Sequence, residues 1–380
     1  MDVRIYEAPV SGAPTFRVAG RATAATSITT VERLWTPGHF SISIPWEARH
    51  AEQLTVGRLV LIDGAFWGII DDLALSAESG GIAQTVSGRQ LKGLAADRIT
   101  IPPAFTSVTG AQGYDPVNGT TETCMKHYVA ANLCNAAQPE RVLFGLEVAA
   151  DQQRGTAEDK YMSRHEDLSQ VLAALGEAAG LGWDIVPDLA RHKFVFDVVQ
   201  GEDHTAEQSA RKRVIFEVAR KTVLSQSYQY AAGDSRNLFY ATMAGSEFAD
   251  ETLTVTYVRE GEETPVGIRR REQHLSLSAD TPVAGEEYHE LERLALIEAE
   301  QYRPAESMVC EVGEGPYVYR RDYSLGDLVT VRNRAWGVTM DARLTEMQTE
   351  YSGGGVRHTA TFGTAPLNVF GRLRRQLKGV

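Results

Sequence analysis

The sequence predicts an α+β, mostly β protein: two similar small antiparallel β-barrels with an inserted helix-containing domain. Three observations support this fold class. A chain of 380 residues can hold two to three domains of ordinary size. Short apolar alternations between turn residues dominate both ends of the chain, which is typical of barrels and sandwiches. One segment near the N-terminus is repeated near the C-terminus, which indicates a duplicated unit.

The composition excludes several classes of protein. Hydrophobic residues are 43% and charged residues 23% of the chain, as in globular domains, so intrinsic disorder is excluded. Three cysteines are too few and odd in number for a disulfide framework, and they indicate folding in a reducing compartment. Fifty acidic residues against 38 basic ones leave a net charge of −12, which does not favour binding to a phosphate backbone.

Residues 1–105 are predicted to form the first barrel. Strand-like alternations over 40–44 and 59–62 are followed by a turn at 63–64 and by further strands. Apolar residues at helical spacing over 91–95 predict one short helix that closes this domain.

Residues 106–190 are predicted to form a helix-containing α/β domain. Apolar residues recur at helical spacing over 121–135 and 164–179, so two amphipathic helices are expected. Strands over 183–187 and 193–199 then follow as a hairpin.

The second of these helices carries signals at both ends. Ser163 and Glu166 have the spacing of a capping box, in which each side chain satisfies an amide of the first turn. Gly180 stands where a left-handed residue ends a helix. The predicted helix therefore begins just after Ser163 and ends at Gly180.

A second barrel is predicted over residues 191–242 and 305–365. It is interrupted by an insertion, 243–304, with one long helix at 285–302. Residues 366–380 form a basic, amphipathic C-terminal tail, which either docks on a partner or frays.

The most informative pattern is an internal repeat. Shifted by 269 positions without gaps, residues 57–75 match residues 326–344. The identities include Gly57 with Gly326 and the pair Trp67-Gly68 with Trp336-Gly337, and both copies continue into a glycine-rich turn and another strand. Chance is the alternative explanation for identities of this number, but the similar order of strands and turns favours a duplicated small barrel.

The order of these motifs resembles a known family. The segment Gly38-His-Phe-x-Ile-x-Ile-Pro45, followed by Phe66-Trp-Gly-Ile-Ile70 and Ser87-Gly-Arg-Gln-Leu91, looks like the N-terminal half of phage tail hub proteins in the siphovirus Gp37-like tail protein group. Late segments, Tyr323-Ser-Leu-Gly-Asp-Leu-Val329 and Thr359-Ala-Thr-Phe-Gly363, are similar to their C-terminal half. The matches cover about a third of the chain.

The resemblance implies a structural virion protein rather than an enzyme. Such baseplate hubs are homotrimers in which each subunit contributes two similar barrels, so that a ring of six near-equivalent units sits against a hexameric tail tube. The implied partners are the tail tube or distal tail protein ring and the tail-tip or fibre proteins. DNA would pass through the channel without specific binding, and the acidic charge fits this. The implied location is the tail tip of the virion, after assembly in the host cytoplasm.

Five residues are the repeat and interface candidates. Trp67, Gly68, Trp336 and Gly337 carry the repeated pair, and Arg89 belongs to the motif that follows the first copy. The two tryptophans are interpreted as barrel-core or interface residues because a repeated fold needs the same bulky side chain twice.

No constellation in the sequence predicts catalysis, a cofactor or a metal. Ser79 imitates a nucleophile elbow but lies in a predicted hairpin turn. Cys124, His127 and Cys134 could supply three metal ligands, but the fourth is unspecified, and buried cysteines are commonly small hydrophobes. The prediction is therefore no catalytic residue, no cofactor and no metal.

Two alternative functions remain open. One is a carbohydrate-binding or cell-wall-degrading component of the tail tip, whose activity would have to lie in residues 106–310. The other is the hub of a contractile injection machine. Neither a secretory signal nor a run of about eighteen apolar residues is present, so no membrane association is expected.

Overall fold

Antiparallel β-strands dominate the computed structural model, which confirms the mostly β prediction. The structure describes residues 2–7, 15–78, 81–102, 115–136, 138–244, 252–258, 263–277, 291–292, 295, 298–299, 301–313 and 315–364. They fall into two compact units: unit 1 contains residues 1–226 and 309–362, and unit 2 contains residues 227–308 and 363–380.

The strands, in chain order, are β1 Val3–Tyr6, β2 Val18–Ala22, β3 Ser27–Arg33, β4 His39–Pro45, β5 Leu59–Ile62, β6 Phe66–Glu78, β7 Gly81–Gln90, β8 Asp115–Thr120, β9 Leu146–Val148, β10 Ala157–Ser163, β11 Gly182–Asp188, β12 Lys193–Val199, β13 Ile215–Phe216, β14 Ser225–Ala231, β15 Leu238–Ala244, β16 Thr252–Tyr257, β17 Glu272–Leu277, β18 Ala305–Val312, β19 Leu328–Asn333, β20 Val338–Ser352 and β21 Gly355–Gly363. The α-helices are α1 Thr121–Val129 and α2 Leu168–Ala179. Short 3₁₀ helices span Ala51–Gln53, Leu91–Asp97, Pro139–Arg141, Val218–Arg220 and Gly267–Arg269, and a π-helical turn, Ala130–Cys134, continues α1.

The main sheet of unit 1 joins the two ends of the chain. Its strands pair in the order β3, β4, β7, β6, β5, β1 and β2, and β20 continues the sheet beyond β3. β20 also pairs with β19 and β21. In the pairing order β21 is followed by β18 and then β14, two strands whose residues are divided between the two units. Among the described strands this order is open at both ends, so the two closed barrels stay a prediction.

Strand β5 lies between two hydrophobic cores of unit 1. Leu59 and Leu61 pack with the apolar faces of α1 and α2, whereas Val60 and Ile62 pack with Phe40 and other residues of the first sheet. Both faces of the strand are covered, which explains why its four residues are all apolar instead of alternating. The residues predicted as first barrel and as helix-containing domain therefore share one strand between their cores.

The predicted helices of unit 1 are present, but one N-terminus differs from the prediction. Asp167, not Ser163, caps α2, and its carboxylate accepts a hydrogen bond from the Gln170 amide. Ser163 instead ends β10 and donates its hydroxyl to Glu166 at 2.6 Å. The capping-box assignment was wrong because aspartate, an equally good cap, stands four residues later. Gly180 ends the helix in the left-handed region, as predicted.

Unit 2 contains a three-stranded sheet in the order β16, β15, β17. Most of the helix predicted at 285–302 lies outside the described residues, but those described at 291–292, 295 and 298–299 are helical. Its buried face carries Leu291, Ala295, Ala299 and the following Tyr302, which pack with Phe239 of β15. The predicted C-terminal tail, 366–380, lies outside the described residues. Within the described ranges, no helix combines the length and apolar character that a bilayer span needs.

Candidate functional site

The two repeats are three-stranded meanders with the same register and the same bulge. β5, β6 and β7 pair in sequence in the first repeat, as do β19, β20 and β21 in the second. One residue bulges from each middle strand, Asp71 in β6 and Thr345 in β20. Because a bulge is a specific backbone feature, its recurrence at the same place supports a duplication.

The structural correspondence differs from the ungapped alignment of the sequence. Leu59 pairs with Ile69 in the first repeat, and Leu328 pairs with Arg343 in the second. Equivalent residues of the two repeats are therefore 269 positions apart in the first strand but 274 positions apart in the second and third strands. The hairpin of the second repeat is longer. β19 has 6 residues against 4 in β5, and β20 begins earlier than β6 when the two strands are aligned by their bulges.

Gly57 and Gly326 are equivalent in the structure as well as in the sequence. Their φ angles are +85° and +96°, in the region that favours glycine. The Gly57 amide donates to the Ile70 carbonyl at 2.8 Å, and the Gly326 amide donates to the equivalent Leu344 carbonyl at 2.9 Å. Both glycines therefore start the meander in the same way.

The repeated tryptophan and glycine do not occupy equivalent positions, which corrects the sequence alignment. Trp67 lies in β6 opposite Leu61, and its ring contacts Tyr6 with centroids 5.1 Å apart. Trp336 lies in the turn between β19 and β20, and it is 50% exposed. An alignment without gaps could not detect the longer hairpin. A role for either tryptophan in an interface stays a proposal.

Gly68 and Gly337 are glycines for different reasons. A Cβ atom at Gly68 would lie 2.6 Å from the ring of Phe40, which crosses the sheet over Gly68 and Gly88. A Cβ at Gly337 would meet nothing within 4 Å, but the residue has a φ of +67°. Gly68 therefore permits close packing, and Gly337 permits a left-handed turn.

We expect Gly68→Ala to lower the free energy of unfolding by about 1–3 kcal/mol, because the added methyl group overpacks the site. Chemical denaturation followed by tryptophan fluorescence measures this loss. In a Phe40→Leu background the same substitution should cost much less, since the opposing ring edge is gone. Gly337→Ala is the matched control, with a loss of about 1 kcal/mol that does not depend on residue 40. Equal losses for Gly68→Ala in both backgrounds would contradict the packing explanation.

Arg89 links the bulge at Asp71 to the 3₁₀ helix Leu91–Asp97, which follows β7. Its guanidinium donates two hydrogen bonds to the Asp97 carboxylate, at 2.7 and 2.8 Å, and its Nε atom lies 3.6 Å from the bulged Asp71. Burial raises the pKa of Asp71, and Arg89 opposes that shift. Arg89 thus acts inside the first repeat, and a contact of this residue with a partner stays a proposal.

Strand β20 of the second repeat pairs directly with β3, which precedes the first meander in the chain, inside unit 1. Residues 346–352 of β20 lie antiparallel to 27–33 of β3, with Glu346 opposite Arg33 and Ser352 opposite Ser27. Arg33 Nε donates to Glu346 at 2.6 Å. This repeat-to-repeat junction, residues 27–33 and 346–352, is a complete antiparallel ladder of seven residues on each strand.

A buried lysine lies beside this junction, and the sequence analysis missed it. The Lys92 ammonium donates to three backbone carbonyls, those of Arg33 at 2.5 Å and of Leu34 and Trp183 at 3.1 Å. It also lies 4.7 Å from the centroid of the Trp183 ring. Lys92 is 1% exposed, and burial lowers its pKa to about 8. The one sequence signal was a charged residue within the apolar run 91–95.

A cavity of about 280 Å³ opens next to Lys92 and the junction. Its lining includes Glu32, Asp184, Tyr319 and Arg320. Burial raises the pKa of Asp184 to about 6, and Lys92 opposes this shift. Glu32 accepts a hydrogen bond from the Tyr319 hydroxyl at 2.7 Å and is ion-paired with Arg320. The contacts of Glu32 connect β3 to the segment that precedes β19, and burial accounts for the raised pKa of Asp184.

The candidate metal ligands do not come together. In the described part of the chain, no group of three or more His, Cys, Asp or Glu residues could hold a metal ion. Cys124 is buried in the core, Cys134 is partly buried, and His127 lies 2.9 Å from Asp115. Ser79, the candidate nucleophile, lies outside the described residues.

Comparisons with known proteins agree with the fold. A family model described as Siphovirus ReqiPepy6 Gp37-like protein matches residues 2–364. Among solved structures, the prophage MuSo2 43 kDa tail protein of Shewanella oneidensis is 12% identical, with a TM-score of 0.57 over 95% of this chain and 98% of that one. A tail protein of Neisseria meningitidis MC58 is 16% identical, with a TM-score of 0.54 over 95% of each chain. Prophage tail protein gp18 of Listeria monocytogenes EGD-e is 12% identical, with a TM-score of 0.54 over 100% and 99%. No curated protein matches.

Proposed function

The chain belongs to the Siphovirus ReqiPepy6 Gp37-like family of phage tail proteins, and on that premise we propose that it is the hub of a phage tail tip. In this role three copies form a ring that joins the hexameric tail tube to a threefold tip. The ring surrounds part of the channel through which DNA leaves the virion.

The duplication is the observation that carries this proposal. A trimer of a chain with two equivalent meanders presents six similar units, and six units can meet a sixfold tube. The equal registers, equal bulges and equivalent hydrogen bonds of Gly57 and Gly326 support that near-equivalence. The complete ladder between the repeats supports it further, because it sets neighbouring units side by side in one sheet.

The charge of the chain fits a passage for DNA. Each copy carries a net charge of −12, so three copies bring threefold this charge to the ring. Like charge keeps phosphates from adhering to a channel wall. We therefore expect no specific DNA binding. The proposed partners are the tube or distal tail ring on one side and tip or fibre proteins on the other.

Light scattering after size-exclusion chromatography tests the proposed assembly. We expect a particle of three times the chain mass of 41.6 kDa, in equilibrium with monomer at low concentration. A strict monomer at every concentration, also in the presence of tube protein, would contradict the hub. Release of fragments from purified cell wall by the chain would instead favour a lytic tip component.

A further inference from the structure

In the described part of the chain, one half of strand β6 has an edge without a partner strand. Residues 72–78 pair with β7 on one side, whereas β5 reaches only 66–69 on the other. In the second repeat the equivalent residues, 346–352 of β20, pair with β21 on one side and with β3 on the other. Within the described ranges, the first repeat therefore lacks the neighbour that the second repeat has.

Two leucine side chains of this edge are more exposed than their equivalents in the second repeat. Leu73 is 38% exposed and Leu75 is 53% exposed. Their equivalents in the second repeat are Met347, which is 1% exposed, and Thr349, which is 6% exposed. The same strand is thus covered in one repeat and open in the other.

Strand β14 is the counterpart of β3 in the second repeat. The pairing order β20, β21, β18, β14 repeats the order β6, β7, β4, β3. The Leu224 amide, just before β14, donates to the Glu311 carbonyl at 2.8 Å, as the Thr26 amide, just before β3, donates to the Ser43 carbonyl at 2.8 Å. β14 is the last strand in the order, so its outer edge is also without a partner strand in the described part of the chain. Its Tyr230 is 57% exposed.

Between their end residues, neither edge carries a residue that usually blocks strand pairing. Residues 72–78 read Asp-Leu-Ala-Leu-Ser-Ala-Glu, and residues 225–231 read Ser-Gln-Ser-Tyr-Gln-Tyr-Ala. Lysine, arginine and proline, which protect exposed edges, are absent from both segments. The two carboxylates of the first segment would meet no carboxylate of the second.

We propose that residues 72–78 of one copy pair antiparallel with β14 of the neighbouring copy. The register is that of the repeat-to-repeat junction, with Asp72 opposite Ala231 and Glu78 opposite Ser225. Leu73 then lies opposite Tyr230 and Leu75 opposite Tyr228, apolar pairs that stabilise a sheet. Each copy offers one edge and accepts the other, so the contact is head to tail, the type of contact from which rings of identical copies are built. The number of three copies rests on the proposed function, but the pairing itself does not.

Cysteine crosslinking between two differently tagged chains tests the register. One chain carries Leu75→Cys and the other Tyr228→Cys, so that a bond between them joins two molecules. After mild oxidation of an equimolar mixture we expect a covalent heterodimer in about a third of the material, and less than a tenth when Ser225→Cys replaces Tyr228→Cys. Absence of the heterodimer, or equal yield with the mismatched partner, would overturn the pairing.

A second variant separates this inference from the proposed function. Leu73→Lys with Leu75→Lys adds two charges to an exposed edge, so thermal unfolding should be unchanged. The assembled fraction in light scattering should fall at least tenfold. A variant that assembles like the unmodified chain would overturn the proposed interface and leave the hub intact. An unmodified chain that neither assembles nor crosslinks would overturn both.

Discussion

Glu122→Gln is expected to lower the free energy of unfolding of unit 1 by about 3–5 kcal/mol at pH 7. The Glu122 carboxylate is fully buried and accepts hydrogen bonds from Lys126 at 2.6 Å and from the Arg154 guanidinium at 2.8 and 2.9 Å. A neutral amide in its place leaves Lys126 and Arg154 with only Asp197, whose side chain is 45% exposed, as their counter-charge. Chemical denaturation with fluorescence detection measures the loss.

The same variant predicts a specific dependence on pH. Burial by itself would raise the pKa of Glu122, but the hydrogen bonds from Arg154 and Lys126 outweigh it and lower the pKa to about 2, from 4.5. The contribution of the carboxylate is therefore complete above about pH 4.5 and is lost as the pH falls towards 2. The difference in stability between the unmodified chain and Glu122→Gln should shrink over this interval.

Glu147→Gln is the matched control. Glu147 also has two cationic partners, Lys193 and Arg191, but its side chain is 28% exposed and both partners are about half exposed. Its loss should be much smaller than that of Glu122→Gln, since solvent screens surface ion pairs. Equal losses in the free energy of unfolding for the two variants would contradict the claim that burial strengthens the ion pairs of Glu122.

Lys92→Met is expected to lower the free energy of unfolding by about 2–5 kcal/mol at pH 7. Methionine fills a similar volume but donates no hydrogen bond, so three buried carbonyls, those of Arg33, Leu34 and Trp183, lose their donor. Two of these carbonyls lie at the end of β3 and the third lies in the inserted helix-containing region. Because Lys92 joins these two parts, its loss should also make them unfold less cooperatively and broaden the unfolding transition of unit 1.

The pH effect has the same sign as that of Glu122, a rise in stability with rising pH, but it lies in the alkaline range. The pKa of Lys92 is lowered from 10.5 to about 8, so between these values the unfolded chain binds more protons than the folded one. The stability of the unmodified chain relative to Lys92→Met should therefore rise above pH 8, by up to about 3 kcal/mol. Lys193→Met, at an exposed ion pair, should show a much smaller loss at pH 7. A flat difference between pH 7 and 10 would be incompatible with a desolvated Lys92.

Local patterns predicted much of the fold. The strands at 40–44 and 59–62, the hairpin at 183–199 and the glycine at the end of α2 were correctly placed because alternation and punctuation depend only on near neighbours. The strand at 59–62 was predicted as an alternation, but all four of its residues are buried, and its two covered faces became visible only when both cores were known.

Features that depend on distant contacts could not be predicted. Because the two hairpins differ by five residues, Trp336 and Gly337 are not equivalent to Trp67 and Gly68 in the structure, although their identical residue types suggested that they were. The buried ions Lys92 and Glu122 look like ordinary surface charges in the sequence, since their partners lie far along the chain. The open edge of β6 is recognisable only by comparison with its paired counterpart in the second repeat.

Electron microscopy of the assembled chain is the most direct test of the central claim. The account predicts a closed threefold ring with six similar lobes, because each of three copies contributes two equivalent meanders. A particle of twofold symmetry, or a threefold ring whose alternate lobes have unrelated outlines, would contradict it.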